Sequence, residues 1–117
     1  WNKAEGVEPL GKWDRFLAEQ FAIFLDRMNT TPAGPESDAT LLDQTTIIYG
    51  CSNSTTHTNK NYPLVLAGGR GLGFKHGQYL KYGEDTPFAN VFATMLEQTG
   101  VTNRFADSTG NLPELLA

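Results

Sequence analysis

Apolar residues gather in four dense groups along this chain, and polar stretches rich in glycine and proline separate them. The clearest group spans residues 12–29, where Trp13, Phe16, Leu17, Phe21, Phe24 and Met28 recur at three- and four-residue steps. That spacing brings side chains to one face of a helix. Lys12, Asp14, Glu19 and Gln20 point elsewhere, while Ile23 and Leu25 broaden the apolar stripe. So broad a stripe is too apolar for a solvated helix and is expected to lie on a sheet. Residues 1–11 are expected to be an irregular lead-in, broken by Gly6, Pro9 and Gly11. Residues 30–40 are expected to form a loop, because Pro32 and Pro35 stop the helix from continuing.

The next two groups are short and β-branched. Thr45–Tyr49 predicts a strand, and the consecutive Ile47 and Ile48 predict that both of its faces are covered, as in a central strand of an α/β sheet. Leu64–Ala67 predicts a second buried strand, with Pro63 just before it. The polar run 50–62 between them is long for a tight hairpin and barely long enough for a helical crossover, so the relative strand direction stays open. Gly68–Gly73 predicts a tight turn, and Gln78–Tyr82 a short edge strand or hairpin arm. The fourth group, Phe88, Val91, Phe92, Met95 and Leu96, predicts the buried face of a second helix. Thr86 is the expected N-cap, Pro87 the first helical position and Gly100 the C-terminal stop. The tail from Phe105 reads as turns. The pattern is α/β, with two strong strands, few for a free-standing sheet.

Composition narrows the function classes. The chain has 117 residues and a formal net charge of −4, with its nine lysines and arginines scattered. That argues against a nucleic-acid partner. A single cysteine, Cys51, excludes an internal disulfide and a multi-cysteine zinc site. No apolar run approaches the ~18 residues of a membrane span, and residues 1–11 carry no signal-peptide pattern. The first residue is Trp1 rather than Met, so an upstream part is expected.

Candidate chemistry concentrates in the loop after the first strand, because sites in open α/β sheets gather beyond the carboxyl ends of strands. His57 sits there, in the run His57-Thr58-Asn59-Lys60-Asn61-Tyr62-Pro63, either as a metal ligand or as a solvated loop histidine. A metal needs three or four converging ligands. No carboxylate stands between Gly50 and Pro63, and Asp43 lies at the other end of the strand, so further ligands would come from outside this chain. Cys51 reads as a semi-buried structural thiol rather than a nucleophile, since the chain runs into a polar loop and not a helix that could activate it. Gly68–Gly73 lacks the Lys-Ser/Thr of a phosphate loop and reads as a turn needing positive φ, although Arg70 could reach an anion. His76 reads as an exposed turn residue. Asp107-Ser108-Thr109-Gly110 reads as an Asx-type turn, with Asp107 bonding amides ahead of it and Gly110 closing it.

Several segments, in order, carry a family resemblance. They are Leu41-Leu42-Asp43-Gln44-Thr45 leading into Ile47-Ile48-Tyr49-Gly50, then Pro63-Leu64-Val65-Leu66-Ala67-Gly68-Gly69, Thr86-Pro87-Phe88-Ala89-Asn90, and Phe105-Ala106-Asp107-Ser108-Thr109-Gly110. Together they resemble the C-terminal part of a family of secreted bacterial proteins, common in planctomycetes and catalogued as domain of unknown function fifteen-fifty-two. That family looks related to the alkaline phosphatase and sulfatase superfamily. The resemblance covers about Trp13 to Leu112. It implies the C-terminal portion of a mostly parallel sheet flanked by helices, a secreted or periplasmic location, and a divalent metal (zinc, calcium or manganese) at the strand ends. It also implies a metal-binding role for His57, through the match of His57-Thr58 with Pro63. The expected partner is the remainder of the parent chain, within a larger envelope or extracellular assembly. Two departures weigh against an intact site. Where the superfamily has an Asp-His pair, this chain has Gly50-Cys51-Ser52-Asn53, and Ser54, Thr55 and Thr56 fill a shortened loop. Ala106 also stands where the family tends to have glycine. The expectation is a structural or binding role with a degenerate metal site; the alternative is a metal-dependent phosphate- or sulfate-ester hydrolase whose active site lies mostly upstream.

Overall fold

A computed structural model of the chain describes residues 4–53, 58, 60, 61 and 63–117, without the side chains of residues 4 and 5. The described residues form two compact units, residues 1–41 and 42–117. The architecture is mixed α/β, with helices α1 (Ala4–Thr30) and α2 (Ala89–Gln98) and strands β1 (Thr46–Gly50) and β2 (Leu64–Gly68).

In the first unit, α1 starts at Ala4 and runs through Gly6, Pro9 and Gly11, which corrects the irregular lead-in expected for residues 1–11. A proline removes one helical donor and crowds the carbonyl four residues back. At Pro9 that affects the opening turns only, and the helix continues from it for more than twenty residues. Glu8–Lys12 (2.6 Å) and Arg15–Glu19 (2.8 Å) ion pairs run along the polar side at four-residue spacing. The helix ends where hydroxyls take over its last carbonyls: Thr30 Oγ1 donates to Asp26 O at 2.9 Å and Thr31 Oγ1 to Arg27 O at 2.7 Å. Pro32 follows and cannot continue the ladder. Residues 31–41 then fold back on themselves, with Ala33 N–H donating to Ala39 O and Leu41 N–H to Thr31 O, both at 2.8 Å. Phe21, Leu25 and Met28 are half-buried. The rest of the apolar stripe stays exposed, with Trp13 at 57%. Trp13 and Phe16 stack on each other at a ring-centroid distance of 5.7 Å.

In the second unit, β1 and β2 form a two-stranded antiparallel sheet in the register Thr46↔Gly68, Ile48↔Leu66, Gly50↔Leu64. The relative direction left open by the sequence is therefore antiparallel. Gln78–Tyr82 forms no strand, contrary to expectation; it is irregular chain. The core gathers around Phe74, Leu112 and Leu115, against which Leu66, Leu72, Leu80, Val91 and Met95 pack. Phe74 is 2% exposed, and burying such a ring stabilises by roughly 1.5–3 kcal/mol.

The tail, read from sequence as turns, closes this core. Phe74 bridges to Leu116, Lys75 N–H donates to Leu115 O at 2.9 Å, and Ala117 N–H donates to Gly73 O at 2.9 Å. On α2 the fully buried residues are Ala89, Asn90, Ala93 and Thr94, whereas Phe88, Val91, Phe92, Met95 and Leu96 are only half-buried. The small side of the helix faces the tail, through Thr109 N–H to Asn90 Oδ1 (2.9 Å) and Leu112 N–H to Thr94 Oγ1 (2.8 Å). No side chain caps the α2 N-terminus; the turn before it is held by Asn90 N–H to Pro87 O and Val91 N–H to Phe88 O. At the other end Gly100 (φ 84°) donates to Glu97 O and Val101 to Leu96 O. These are the paired bonds of a Schellman stop, as the glycine predicts.

Candidate functional site

The sheet register places the candidate residues at two opposite ends. Gly50 and Leu64 mark the end from which the 51–63 loop leaves. There Cys51 is exposed, and its Sγ donates to Asn53 O at 2.9 Å. Cys51 is thus not the semi-buried structural thiol expected from the sequence: its thiol stands at the surface, held on a carbonyl within its own turn. His57, the candidate metal ligand, lies outside the described residues. Among the described residues no three His, Cys, Asp or Glu side chains gather as a metal-ligating group.

The opposite end, at Thr46 and Gly68, carries the glycine-rich turn. Four residue steps of strand separate the two ends, about 13 Å at the usual rise. Arg70 sits exposed here in a single 3-10 turn, Arg70–Leu72. The glycines are required by close approach as well as by dihedral. Gly68 (φ 73°) lies where a Cβ would collide with the Thr45 carbonyl, and Gly69 (φ 72°) where it would meet Thr46 Oγ1 and the Phe74 ring. The turn is laid against the chain before β1, with Gly69 N–H donating to Leu42 O and Gly71 N–H to Asp43 O, both at 2.8 Å. These amides are consumed by protein carbonyls, which leaves no cradle of free N–H groups for a phosphate. His76 is exposed, as expected, but its Nε2 lies 2.6 Å from Gly68 O and braces the same turn.

The Asp107–Gly110 run is a turn in which Ser108 does the bonding. Ser108 N–H donates to Phe105 O at 2.9 Å, and its buried Oγ accepts from Phe105 N–H at 3.2 Å. Asp107 is exposed, Gly110 is an exposed bend, and Ala106 takes φ 48°. That left-handed position is the one where a glycine would sit without strain. Arg104 Nε donates to Ser108 O at 3.1 Å, and Asn111 Nδ2 donates to Glu97 Oε2. Around these side chains, between the end of α2 and the tail, is an open groove of about 500 Å³. A smaller groove of about 380 Å³ lies between the start of β1 and the bulky side of α2, lined by Thr46, Leu72, Phe92, Met95, Leu96 and Phe105. Sequence reasoning identified neither groove. The only signal for the second was the apolar side of α2, which reads from sequence as simple core.

No family model matches this chain, and no similar curated protein or solved structure is found. No helix among the described residues is long and apolar enough to cross a membrane.

Proposed function

We propose that this chain is the C-terminal segment of a secreted protein of the alkaline-phosphatase and sulfatase type, within the family catalogued as domain of unknown function fifteen-fifty-two. Its role is structural or binding, and its metal site is degenerate. Its small antiparallel sheet belongs to a larger, mostly parallel sheet flanked by helices, and its partner is the remainder of that α/β body, within an envelope or extracellular assembly.

One observation carries this reading: among the described residues, more large apolar side chains stand in solvent than are buried. Val7, Leu10, Trp13, Phe16, Ile23 and Phe24 on α1 are exposed, as are Leu64 and Val65 on β2. Monomeric proteins keep contiguous exposed apolar surface small, and α1 alone leaves three aromatic and several aliphatic side chains in its described length exposed. Surface of this kind is stable when a larger body covers it.

The second reading, a metal-dependent phosphate- or sulfate-ester hydrolase, is favoured by the His57-Thr58 and Pro63 pattern in the sequence. In that reading His57 helps to hold zinc, calcium or manganese, which would polarise the ester, and the nucleophile and remaining ligands come from upstream. The test uses the longest natural polypeptide that carries this chain. Its zinc, calcium and manganese content and its turnover of an aryl phosphate and an aryl sulfate are compared with those of a His57→Ala variant. The structural reading expects neither quantity to differ between the two. Turnover that disappears with His57→Ala would overturn it in favour of the hydrolase.

A further inference from the structure

The groove of about 500 Å³ between the end of α2 and the tail is lined by one acidic and one basic side chain, Glu97 and Arg104. Its volume is in the range of small-molecule sites. Glu97 stands in the last turn of α2. The carbonyl end of a helix bears partial negative charge, so a carboxylate there is set against the dipole and favours a nearby cation. The chain supplies none: among the described residues the ion pairs are Glu8–Lys12 and Arg15–Glu19, both on α1. Glu97 and Arg104 therefore line one groove without pairing with each other.

Both side chains are oriented by the tail. Arg104 Nε donates to Ser108 O at 3.1 Å. Ser108 is 5% exposed, and its N–H and hydroxyl are both bonded to the Phe105 backbone, so the anchor is a buried turn. The guanidinium is held through one nitrogen, and its two terminal nitrogens have no partner among the described residues. A planar fork fixed in this way matches a carboxylate two bonds at a time. On the other side chain, Glu97 Oε2 accepts from Asn111 Nδ2, which leaves Oε1 unbonded. Asn111 in turn precedes Leu112, whose N–H is fastened to Thr94 Oγ1.

We infer that this groove binds a small zwitterion, a free amino acid or a short peptide, with its ammonium on Glu97 and its carboxylate on the terminal nitrogens of Arg104. The pair of charges selects this chemistry. A simple anion at Arg104 also meets the Glu97 carboxylate, and a simple cation at Glu97 also meets the guanidinium; a molecule carrying both charges satisfies each. Ala93 and Val101 add apolar carbon to the lining for a short side chain. The inference goes beyond the proposed function and does not rest on it, since every residue that it uses lies within the second unit.

The probes are alanine and dialanine, titrated by calorimetry into the longest natural polypeptide that carries this chain. N-acetyl-dialanine, which lacks the ammonium, and dialanine amide, which lacks the carboxylate, are the controls. The expected result is saturable binding of alanine or dialanine with a Kd below about 10 mM. Each control, and each of the variants Glu97→Gln and Arg104→Gln, should bind about 10-fold more weakly or worse. Glu97→Gln keeps an oxygen for Asn111. Arg104→Lys keeps the charge without the fork and should also weaken binding. Unfolding midpoints and exchange of the Leu112 amide, unchanged in the variants, separate lost binding from lost structure. Failure of both alanine and dialanine to bind would overturn the inference. N-acetyl-dialanine binding as tightly as dialanine would also overturn it, leaving a plain anion site at Arg104. Affinity unaffected by Glu97→Gln and Arg104→Gln would place the ligand elsewhere and refute it equally. A hydrolase activity lost with His57→Ala would overturn the proposed structural role and leave these outcomes unaffected.

Discussion

Replacing Thr94 with Val tests how the tail is fastened to α2. Thr94 is fully buried, at 0% exposure, and its hydroxyl serves two backbone groups: it donates to Asn90 O at 2.7 Å and accepts from Leu112 N–H at 2.8 Å. Valine has the same shape and none of the bonding. The Asn90 carbonyl keeps its ordinary helical partner, so its loss is small. The Leu112 N–H, on a residue only 6% exposed, is left without an acceptor, which costs about 1–3 kcal/mol. The extra apolar carbon returns less than about 1 kcal/mol. The net expectation is a loss of about 1–2 kcal/mol, or a fall in Tm of about 4–8 °C per kcal/mol for a domain of this size. Thr94→Ser keeps the hydroxyl and loses a methyl, so it also destabilises, by about 1 kcal/mol. Hydrogen exchange separates the two: Thr94→Val should expose the Leu112 amide selectively, and Thr94→Ser should not. A Thr94→Val protein with an unchanged unfolding midpoint and a Leu112 amide as slow as the parent's would refute the reasoning.

Other perturbations read different parts of the second unit. Tyr82→Phe should leave stability unchanged or raise it by up to about 1 kcal/mol, because the Tyr82 hydroxyl is buried without a partner; a loss above that in urea unfolding would mean that the hydroxyl is bonded. Burial, with a contribution from the Glu114 carboxylate, holds the Tyr82 phenol above its ordinary value of 10.0. The folded state therefore retains a proton that the unfolded state has lost. Stability contributed by this group is complete below about pH 10 and falls as pH rises above it, and Tyr82→Phe should flatten that part of the profile. Gly68→Ala should destabilise by well over 1 kcal/mol, since it adds a collision with the Thr45 carbonyl to the cost of positive φ. Gly77→Ala, at φ 78° with nothing within 4 Å, should cost only the dihedral term of about 1 kcal/mol; equal losses in thermal melts would contradict the collision. Removing residues 112–117 should abolish cooperative unfolding of the second unit, because Leu112 and Leu115 are two of the three buried side chains of its core cluster; a sharp calorimetric transition in the truncated chain would count against this.

The sequence determined the elements whose cause is local. The α1 stripe, the two β-branched strands, the positive-φ glycines of the 68–73 turn and the Gly100 stop all follow from spacing or from backbone sterics within a few residues. Pro9 and the early glycines were misleading, because a long amphipathic helix tolerates a missing donor in its opening turns. Tertiary structure decided what depends on distant partners. The antiparallel sense of the sheet came from register, which a thirteen-residue connection does not specify. The inward side of α2 is its small one, since Asn90 and Thr94 bond a tail some eighteen residues away, a pairing that no periodicity reveals. The same packing turned the tail from a run of turns into the wall of the core. The candidate residues were legible as types, but their grouping was not: only the register shows that Arg70 and Cys51 stand at opposite ends of the strands. An ion site depends on distances in space, and sequence spacing fixes those only within a single helix or strand.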